Sequence, residues 1–192
     1  STRAAAEPAA DTYVTCAASG TARWYAGETQ GWTASAALHA FQLSLPRQTL
    51  ALSFTYDEVF ESENLPLQLN LGEDSGLRGY PSREFAGTER YRLNLEDRID
   101  LGRSWSSFHL GMVVFYDAGW IGQGDPDLDD ALQSIGLGLR IGSSEVLGSG
   151  VLRLDLSFPL DDFAGEDYDP LVSFTFGQVF GFFGNASTLP TS

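Results

Sequence analysis

Apolar and polar residues alternate along most of this chain, with a period of two. In the segment 49–60, for example, Leu50, Leu52 and Phe54 alternate with small or hydroxyl-bearing residues. A period of two places successive side chains on opposite faces of a β-strand. The pattern predicts an all-β chain of about eight antiparallel strands, without a helix of ordinary length. The alternating segments are 22–45, 49–60, 65–71, 90–101, 106–119, 135–141, 151–160 and 170–180.

The connections between these segments differ in length. Residues 142–150 form a short link, whereas 73–88, 120–133 and 161–169 form longer ones. Short turns at one end of a sheet and long loops at the other are typical of outer-membrane β-barrels. We therefore expect an antiparallel transmembrane β-barrel segment.

The polar face of the predicted strands carries charges of both signs. In the water-filled lumen of a barrel such charges can pair, whereas on a soluble β-sandwich they would be ordinary surface. Aromatic residues near the strand ends, such as Tyr56, Trp120 and Phe180, suit an interfacial girdle. The pattern therefore favours a barrel over a sandwich. The charged positions are Arg92, Glu96, Arg98, Asp117, Arg140, Arg153 and Asp155.

The composition narrows the classes of partner and site. The 192 residues carry a formal net charge of −15, so a nucleic acid partner is not expected. The single cysteine, Cys16, excludes an internal disulfide and any cysteine-based zinc cluster. The apolar runs are too short for a transmembrane helix, which does not argue against barrel strands. Because no signal-peptide pattern opens the sequence, we expect a mature form or a piece of a longer chain.

One long connection places a single arginine, Arg78, among glycines. Gly76 and Gly79 allow backbone conformations that other residues resist. Pro81 then restricts the direction in which the chain leaves the loop. Such a loop is suited to aim one cation at a chosen place, and the flanking strands predict that this place is the barrel interior.

Four motifs in this order resemble a known superfamily. The chain is similar to the C-terminal barrel region of the BamA/TamA and FhaC/ShlB superfamily of outer-membrane assembly and two-partner-secretion transporters, the bacterial surface antigen type. The similarity in order and spacing extends over about residues 65–180. The motifs are Leu77-Arg78-Gly79-Tyr80, Asn94-Leu95-Glu96-Asp97-Arg98, Phe115-Tyr116-Asp117-Ala118-Gly119, and the strand pair 135–142 and 152–160.

The resemblance implies a site inside the barrel. In that family the loop folds back into the lumen, and its arginine contacts the acidic residue of the Phe-x-Asp-x-Gly strand. If this chain has the same contact, Arg78 pairs with Asp117, with Glu96 or Asp155 nearby. The expected role of Arg78 is then to brace the barrel or gate its pore. The implied site residues are the loop motif Leu77, Arg78, Gly79 and Tyr80, the strand motif Phe115, Asp117 and Gly119, and the lumen charges Glu96, Arg98, Arg140 and Asp155.

The resemblance also implies an organisation. The family barrel has about sixteen strands and follows periplasmic POTRA domains. A closed barrel of about eight strands is filled by its own side chains and leaves little room for an inward loop. We therefore expect the C-terminal half of a larger barrel. Its parts would be a flexible leading segment at 1–20, barrel strands at 21–180 with an inward loop at 73–88, and a C-terminal tail at 181–192.

Two motifs are candidates for catalysis. Asp74-Ser75-Gly76 resembles the nucleophile turn of a serine protease, which needs a partner histidine. Neither His39 nor His109 has the usual flanking residues. Glu96 and Asp155 could be the paired carboxylates of a glycosidase, although a charge network in a lumen explains them more simply. We therefore expect no enzyme activity and no cofactor.

The acidic stretch 125–130 begins like a calcium-binding loop. It has Asp130 where that loop needs glycine, and Gly136 where it needs its closing glutamate. A solvated acidic loop is therefore the preferred interpretation, and no metal is expected.

Together these observations predict an outer-membrane β-barrel protein of a Gram-negative-type bacterium that acts in outer-membrane protein assembly or polypeptide translocation. The expected partners are outer-membrane lipid, an unfolded or translocating polypeptide, and the remaining barrel strands or periplasmic domains of a parent protein. Two alternatives stay open. The chain could be the membrane-anchoring translocator barrel of a secreted enzyme of the patatin-like lipase type, or a soluble β-sandwich binding module.

Overall fold

A computed structural model of the chain describes residues 2–5, 12–25, 28–43, 45–61, 68–105, 108–123, 130–142, 151–162 and 167–177. These residues are organised almost entirely as β-strands. The strands are β1 (Thr2–Ala5), β2 (Thr12–Tyr25), β3 (Glu28–Gln42), β4 (Gln48–Glu61), β5 (Leu69–Leu71), β6 (Phe85–Gly87), β7 (Glu89–Trp105), β8 (Phe108–Gly122), β9 (Leu132–Gly142), β10 (Val151–Pro159) and β11 (Leu171–Gly177).

The predicted all-β, antiparallel architecture is confirmed. One sheet has nine strands in the order β1-β2-β3-β4-β7-β8-β9-β10-β11, and β5 pairs with β6 in a separate hairpin. Since β1 has only four residues, the sheet consists of eight longer strands and one short edge strand, close to the number predicted. Among the described residues no pairing joins β1 to β11, so the described sheet is open at both edges.

The structure corrects the expected boundary at the N-terminal end. Residues 2–5 and 12–20, which we expected to belong to a flexible segment, lie in β1 and β2. These residues include several alanines, which have a weak strand propensity. They form strands because β2 pairs with β1 on one side and with β3 on the other. The expected tail at 181–192 lies outside the described residues.

The two faces of the large sheet differ in chemistry. The interior face, as we call it, carries carboxylates such as Glu96 and Asp117, which are only 8% and 0% exposed. The apolar face carries side chains such as Val114 and Leu137, which are 48% and 50% exposed. Asp97, opposite Val114, is an acid on the apolar face. The usual sorting of a water-soluble protein is therefore inverted, because charge is buried while large apolar side chains are open.

The connection between β5 and β6 covers the interior face. We call residues 72–83 the arginine loop. It starts with a single 3-10 turn, Glu73–Ser75, and it closes tightly, because a Cβ added to Gly72 would collide with the carbonyl of Pro81. Gly76 and Gly79 have φ angles of 102° and 93°, in the left-handed region that favours glycine.

A compact apolar cluster joins the arginine loop to the strands beneath it. It consists of buried side chains from the hairpin, the loop and the start of β9, and Tyr168 packs against it from the β10–β11 connection. Apolar burial of this kind is the main favourable contribution to folding, so the loop has a small core of its own. The buried members are Leu71, Leu77, Tyr80, Phe85 and Leu132.

Candidate functional site

Arg78 of the arginine loop contacts Asp117 of β8. Its Nε and one terminal nitrogen donate hydrogen bonds of 2.6 and 2.8 Å to the two carboxylate oxygens, and its backbone N–H reaches the same carboxylate at 3.4 Å. A guanidinium matches a carboxylate in this two-point geometry, which fixes orientation as well as distance. The contact implied by the family resemblance is therefore present in the structure.

The remaining lumen charges of the predicted site lie around this pair. Arg78 is 2.9 Å from Glu96 and 3.8 Å from Asp155. Glu96 also accepts a hydrogen bond of 2.7 Å from Arg98, and Asp155 is held by the guanidinium of Arg140. Three acidic and three basic side chains from the loop, β7, β8, β9 and β10 thus form one network.

Burial makes this network stronger than a surface ion pair. The Arg78 side chain is 12% exposed and that of Asp117 is 0% exposed. Burial alone lowers the pKa of the Arg78 guanidinium, but the hydrogen bonds and charge of Asp117, with the charges of Glu96 and Asp155, raise that pKa above its ordinary value. Arg78 therefore stays protonated at any pH at which the chain folds.

The strand motif also supplies a ring beneath the guanidinium. Arg78 lies over the ring of Phe115, 3.6 Å from its centroid, which is a favourable cation–π arrangement. Space for that ring comes from Gly136, where a Cβ would collide with Phe115. At Gly138 a Cβ would collide with the Asp155 carboxylate, and at Gly119 it would lie 3.2 Å from the side chain of Leu71.

Tyr80 anchors the other side of the loop motif. Its hydroxyl lies 2.9 Å from the carbonyl of Gln133 and 3.1 Å from that of Asp161. Its ring packs edge-on against Tyr168, with centroids 5.1 Å apart. Burial, together with the negative charge of Asp161, raises the pKa of the Tyr80 phenol to about 12. Leu77 and Gly79 are likewise buried, so the whole four-residue motif lies inside the fold.

The sequence analysis missed a second set of side chains that hold the loop. Alternate residues of β7 donate to backbone carbonyls of the loop and of the strand before it. Arg90 donates to Asn70 of β5, Arg92 to Ser75, and Asn94 to Gly76 at 2.7 Å. The signal was available, because these three positions share a face with Glu96 in the alternating pattern. What the sequence could not indicate is that their acceptors are backbone carbonyls.

Asp57 of β4 organises the two arginines of this second set. Its carboxylate accepts hydrogen bonds from Arg90 at 2.6 Å and from Arg92 at 3.2 Å. Nearer the centre, Asn94 also donates to Asp117 at 2.8 Å, and the hydroxyl of Ser134 donates to the carbonyl of Arg78. Both ion-pair clusters therefore hold the start of the arginine loop, at the neighbouring carbonyls of Ser75 and Gly76.

The weaker candidates for chemistry find no support in the geometry. The hydroxyl of Ser75 donates to the carbonyl of Gly72 at 2.9 Å. Glu96 and Asp155 are both engaged by arginines. Within the described ranges, no group of three or more His, Cys, Asp and Glu side chains could hold a metal ion. Most of the acidic stretch 125–130 lies outside those ranges.

Comparison with known proteins does not assign the chain to a family. No protein-family model matches it, and no curated protein or solved structure matches it either. Among the described residues, no helix is long and apolar enough to cross a membrane. The family resemblance therefore rests on the four motifs alone.

Proposed function

We propose that this chain is part of an outer-membrane β-barrel that assembles barrel proteins or passes polypeptides across the outer membrane. The single observation that carries the proposal is the inverted sheet. Charged side chains are buried on one face, and large apolar side chains are exposed on the other. A lipid bilayer would cover the apolar face, and transmembrane barrels place apolar residues outward and polar residues inward in this way.

The size of the apolar face supports a lipid contact rather than a local binding patch. Exposed leucine, isoleucine, valine and phenylalanine side chains occur on strands from β4 to β11, with values that reach 67% at Phe174. Monomeric proteins in water rarely expose apolar patches larger than a few hundred Å². A face of this kind across successive strands therefore favours lipid over water as its surroundings.

The arginine loop supports a barrel larger than the described sheet. A closed barrel of about eight strands is filled by its own interior side chains, whereas this interior face also carries a twelve-residue loop, 72–83. The open edges at β1 and β11 leave room for further strands, on this polypeptide or another. In this proposal the Arg78 network braces the loop in the lumen and performs no bond chemistry.

The last strand supports a role in handling polypeptides. In β11, Val172 and Phe174 are 64% and 67% exposed, while Ser173 between them shares the face of Asp155. On the side away from β10, the described residues give this strand no partner. An open edge with this alternation is a template for a substrate strand with the same pattern.

Refolding of the chain tests the membrane proposal. The chain is diluted from urea into plain buffer, detergent or lipid vesicles, and folding is followed by circular dichroism and heat-modifiable gel mobility. We expect a heat-sensitive β-form only with detergent or lipid. A monomeric β-protein in plain buffer would contradict the proposal and favour the β-sandwich.

A further inference from the structure

Asp97 of β7 stands among apolar side chains, on the face that the proposed function assigns to lipid. In the sheet register it lies opposite Leu50 of β4 and Val114 of β8. The nearest residues of the same face along its own strand are Leu95 and Ile99, because strand side chains alternate between the two faces. Apolar residues therefore occupy the four nearest positions around this carboxylate.

The carboxylate of Asp97 lacks a partner among these neighbours. Its Oδ1 atom is buried and accepts no hydrogen bond from the residues that the structure describes. Both flanking strands are described along this stretch, and neither places a donor within reach of that atom. The adjacent Glu96, on the interior face, is instead held by Arg78 and Arg98. An ionisable side chain at a membrane-facing position is costly, and it usually marks a functional contact.

Asp97 lies close to the turn-side edge of the apolar face. On β4 the apolar side chains of this face end at Gln48, the position of that face next to Leu50. On β3 they end at Gln42, which lies opposite Leu50 and accepts a hydrogen bond of 2.5 Å from Thr12. Successive residues of one face are about 7 Å apart along a strand. Asp97 thus stands one such step inside a polar edge, within reach of a lipid headgroup.

The surroundings of Asp97 suit a cation that carries its own apolar chains. Leu50, Leu95 and Val114 are 42%, 40% and 48% exposed, so they offer contact area to acyl chains and none to a small hydrated ion. A carboxylate only accepts, and it binds an ammonium group through charge-assisted hydrogen bonds. A primary ammonium has three N–H donors, whereas a trimethylammonium has none.

A second copy of this chain is a poor source of that cation. The sequence contains no lysine, and the strand arginines whose side chains the structure describes lie on the interior face. Two copies that met at this position would also bring two carboxylates together. Charge complementarity therefore favours a lipid. These arginines are Arg90, Arg92, Arg98, Arg140 and Arg153.

We propose that the apolar face binds, at Asp97, a phospholipid with a primary ammonium headgroup, of the phosphatidylethanolamine class. The carboxylate accepts N–H hydrogen bonds from the ammonium, and the phosphate stays at the polar edge formed by Gln42 and Gln48. The acyl chains lie along Leu52 and Leu95, which face each other in the next row towards the arginine loop. The inference rests on the proposed function, because it requires this face to lie in a membrane.

The test uses the full chain refolded in dodecyl maltoside, with lipid binding measured by native mass spectrometry. Phosphatidylethanolamine and phosphatidylcholine with identical acyl chains are titrated in parallel, since they differ only in the methyl groups on nitrogen. Hydrogen bonds to charged groups are the strong ones, so we expect phosphatidylethanolamine to bind about tenfold more tightly. Asp97→Asn should remove most of this preference, and Asp97→Glu should keep part of it.

Asp100→Asn is the matched control, because it removes an exposed acid from the same strand on the interior face. It should leave the preference unchanged. Equal losses in Asp97→Asn and Asp100→Asn would mean that net charge alone attracts the ammonium group, and the site would be rejected.

A second measurement needs only the native chain and decides the question even if Asp97→Asn fails to fold. Lipids with one and two N-methyl groups are added to the titration. Affinity should fall stepwise from phosphatidylethanolamine to phosphatidylcholine, because each methyl group removes one donor. The same affinity along the whole series would overturn the inference.

Three further outcomes separate the possible failures. If phosphoethanolamine without acyl chains displaces the lipid at equal concentration, the ligand is a soluble amine and the lipid inference is wrong. If the chain folds in detergent but binds both lipids equally, the site is absent while the membrane proposal stands. If the chain folds as a monomer in plain buffer, the membrane proposal fails and the lipid inference fails with it.

Discussion

Replacing Asp117 by asparagine should destabilise the fold more than any exposed charge substitution in the chain. The substitution keeps the size of the side chain but removes its charge. Arg78 would then be left 12% exposed with an amide in place of its two-point partner. Removing one member of a buried ion pair costs about 3–5 kcal/mol, because the other charge stays buried without compensation.

The structure places the expected loss near the lower end of that range. Glu96, 2.9 Å from Arg78, still neutralises part of its charge, and the ring of Phe115 still lies beneath the guanidinium. Asn94 can still donate to the amide oxygen of the new side chain. We therefore expect Asp117→Asn to lower the free energy of unfolding by about 3 kcal/mol, a change of more than about a hundredfold in the folded-to-unfolded ratio.

The assay is urea unfolding, followed by tryptophan fluorescence in the medium that supports folding. A double-mutant cycle with Arg78→Gln isolates the pair, because it subtracts the separate effects of the two substitutions. The pair Arg83 and Asp74 serves as the control, since its side chains are 75% and 40% exposed. Exposed pairs contribute about 0–1 kcal/mol.

The reasoning would be refuted by a coupling energy for Arg78 and Asp117 no larger than that of the exposed control. The Arg78 network would then be a consequence of loop packing and not a cause of it. A lower stability in Asp117→Asn without any coupling would mean that the loss does not arise from the contact with Arg78.

Three further predictions concern packing, titration and the apolar face. Gly138→Ala should lower the free energy of unfolding by about 1–3 kcal/mol, since its Cβ would displace the Asp155 carboxylate. Gly20→Ala, whose Cβ would have an ordinary contact of 3.6 Å, should change it little. The pKa of Tyr80 is raised to about 12, so the unfolded chain loses this proton first, near pH 10. Stability should therefore fall between about pH 10 and 12 in the native chain more than in Tyr80→Phe, as measured by urea unfolding against pH. Leu137→Arg should cost about 2–4 kcal/mol if its face contacts lipid, and about 0.5 kcal/mol or less if the face contacts water.

Much of the candidate site could be predicted from local pattern. Alternation in β7, β8 and β10 correctly placed Glu96, Asp117 and Asp155 on one face, because a strand has a side-chain period of two that does not depend on its neighbours. The glycines around Arg78 indicated a loop with special backbone angles. Gly76 and Gly79 indeed have positive φ values.

The sequence analysis failed where contacts with distant parts of the chain override the local strand propensity or add a role that the local pattern does not show. In residues 12–20 the small residues 17–20 have little strand propensity, yet the whole segment lies in β2, because β3 pairs with it along its length. Arg90 and Arg92 belong to none of the four motifs, and their roles depend on backbone carbonyls of β5 and of the arginine loop, about 20 residues away in the chain. Such acceptors are part of the backbone, so no side-chain pattern can mark them.

By itself, then, the sequence determined the period of two, the approximate number of strands, the division into a charged and an apolar face, and the position of the arginine loop. Each of these follows from neighbours along the chain. Only the tertiary structure decided which charges meet. The register of β7, β8, β9 and β10 brings Asp117, Glu96 and Asp155 within reach of Arg78. Two glycines of β9, Gly136 and Gly138, leave space for the ring of Phe115 and the carboxylate of Asp155. Register and close packing are properties of several strands together, so they appear only once the sheet has formed.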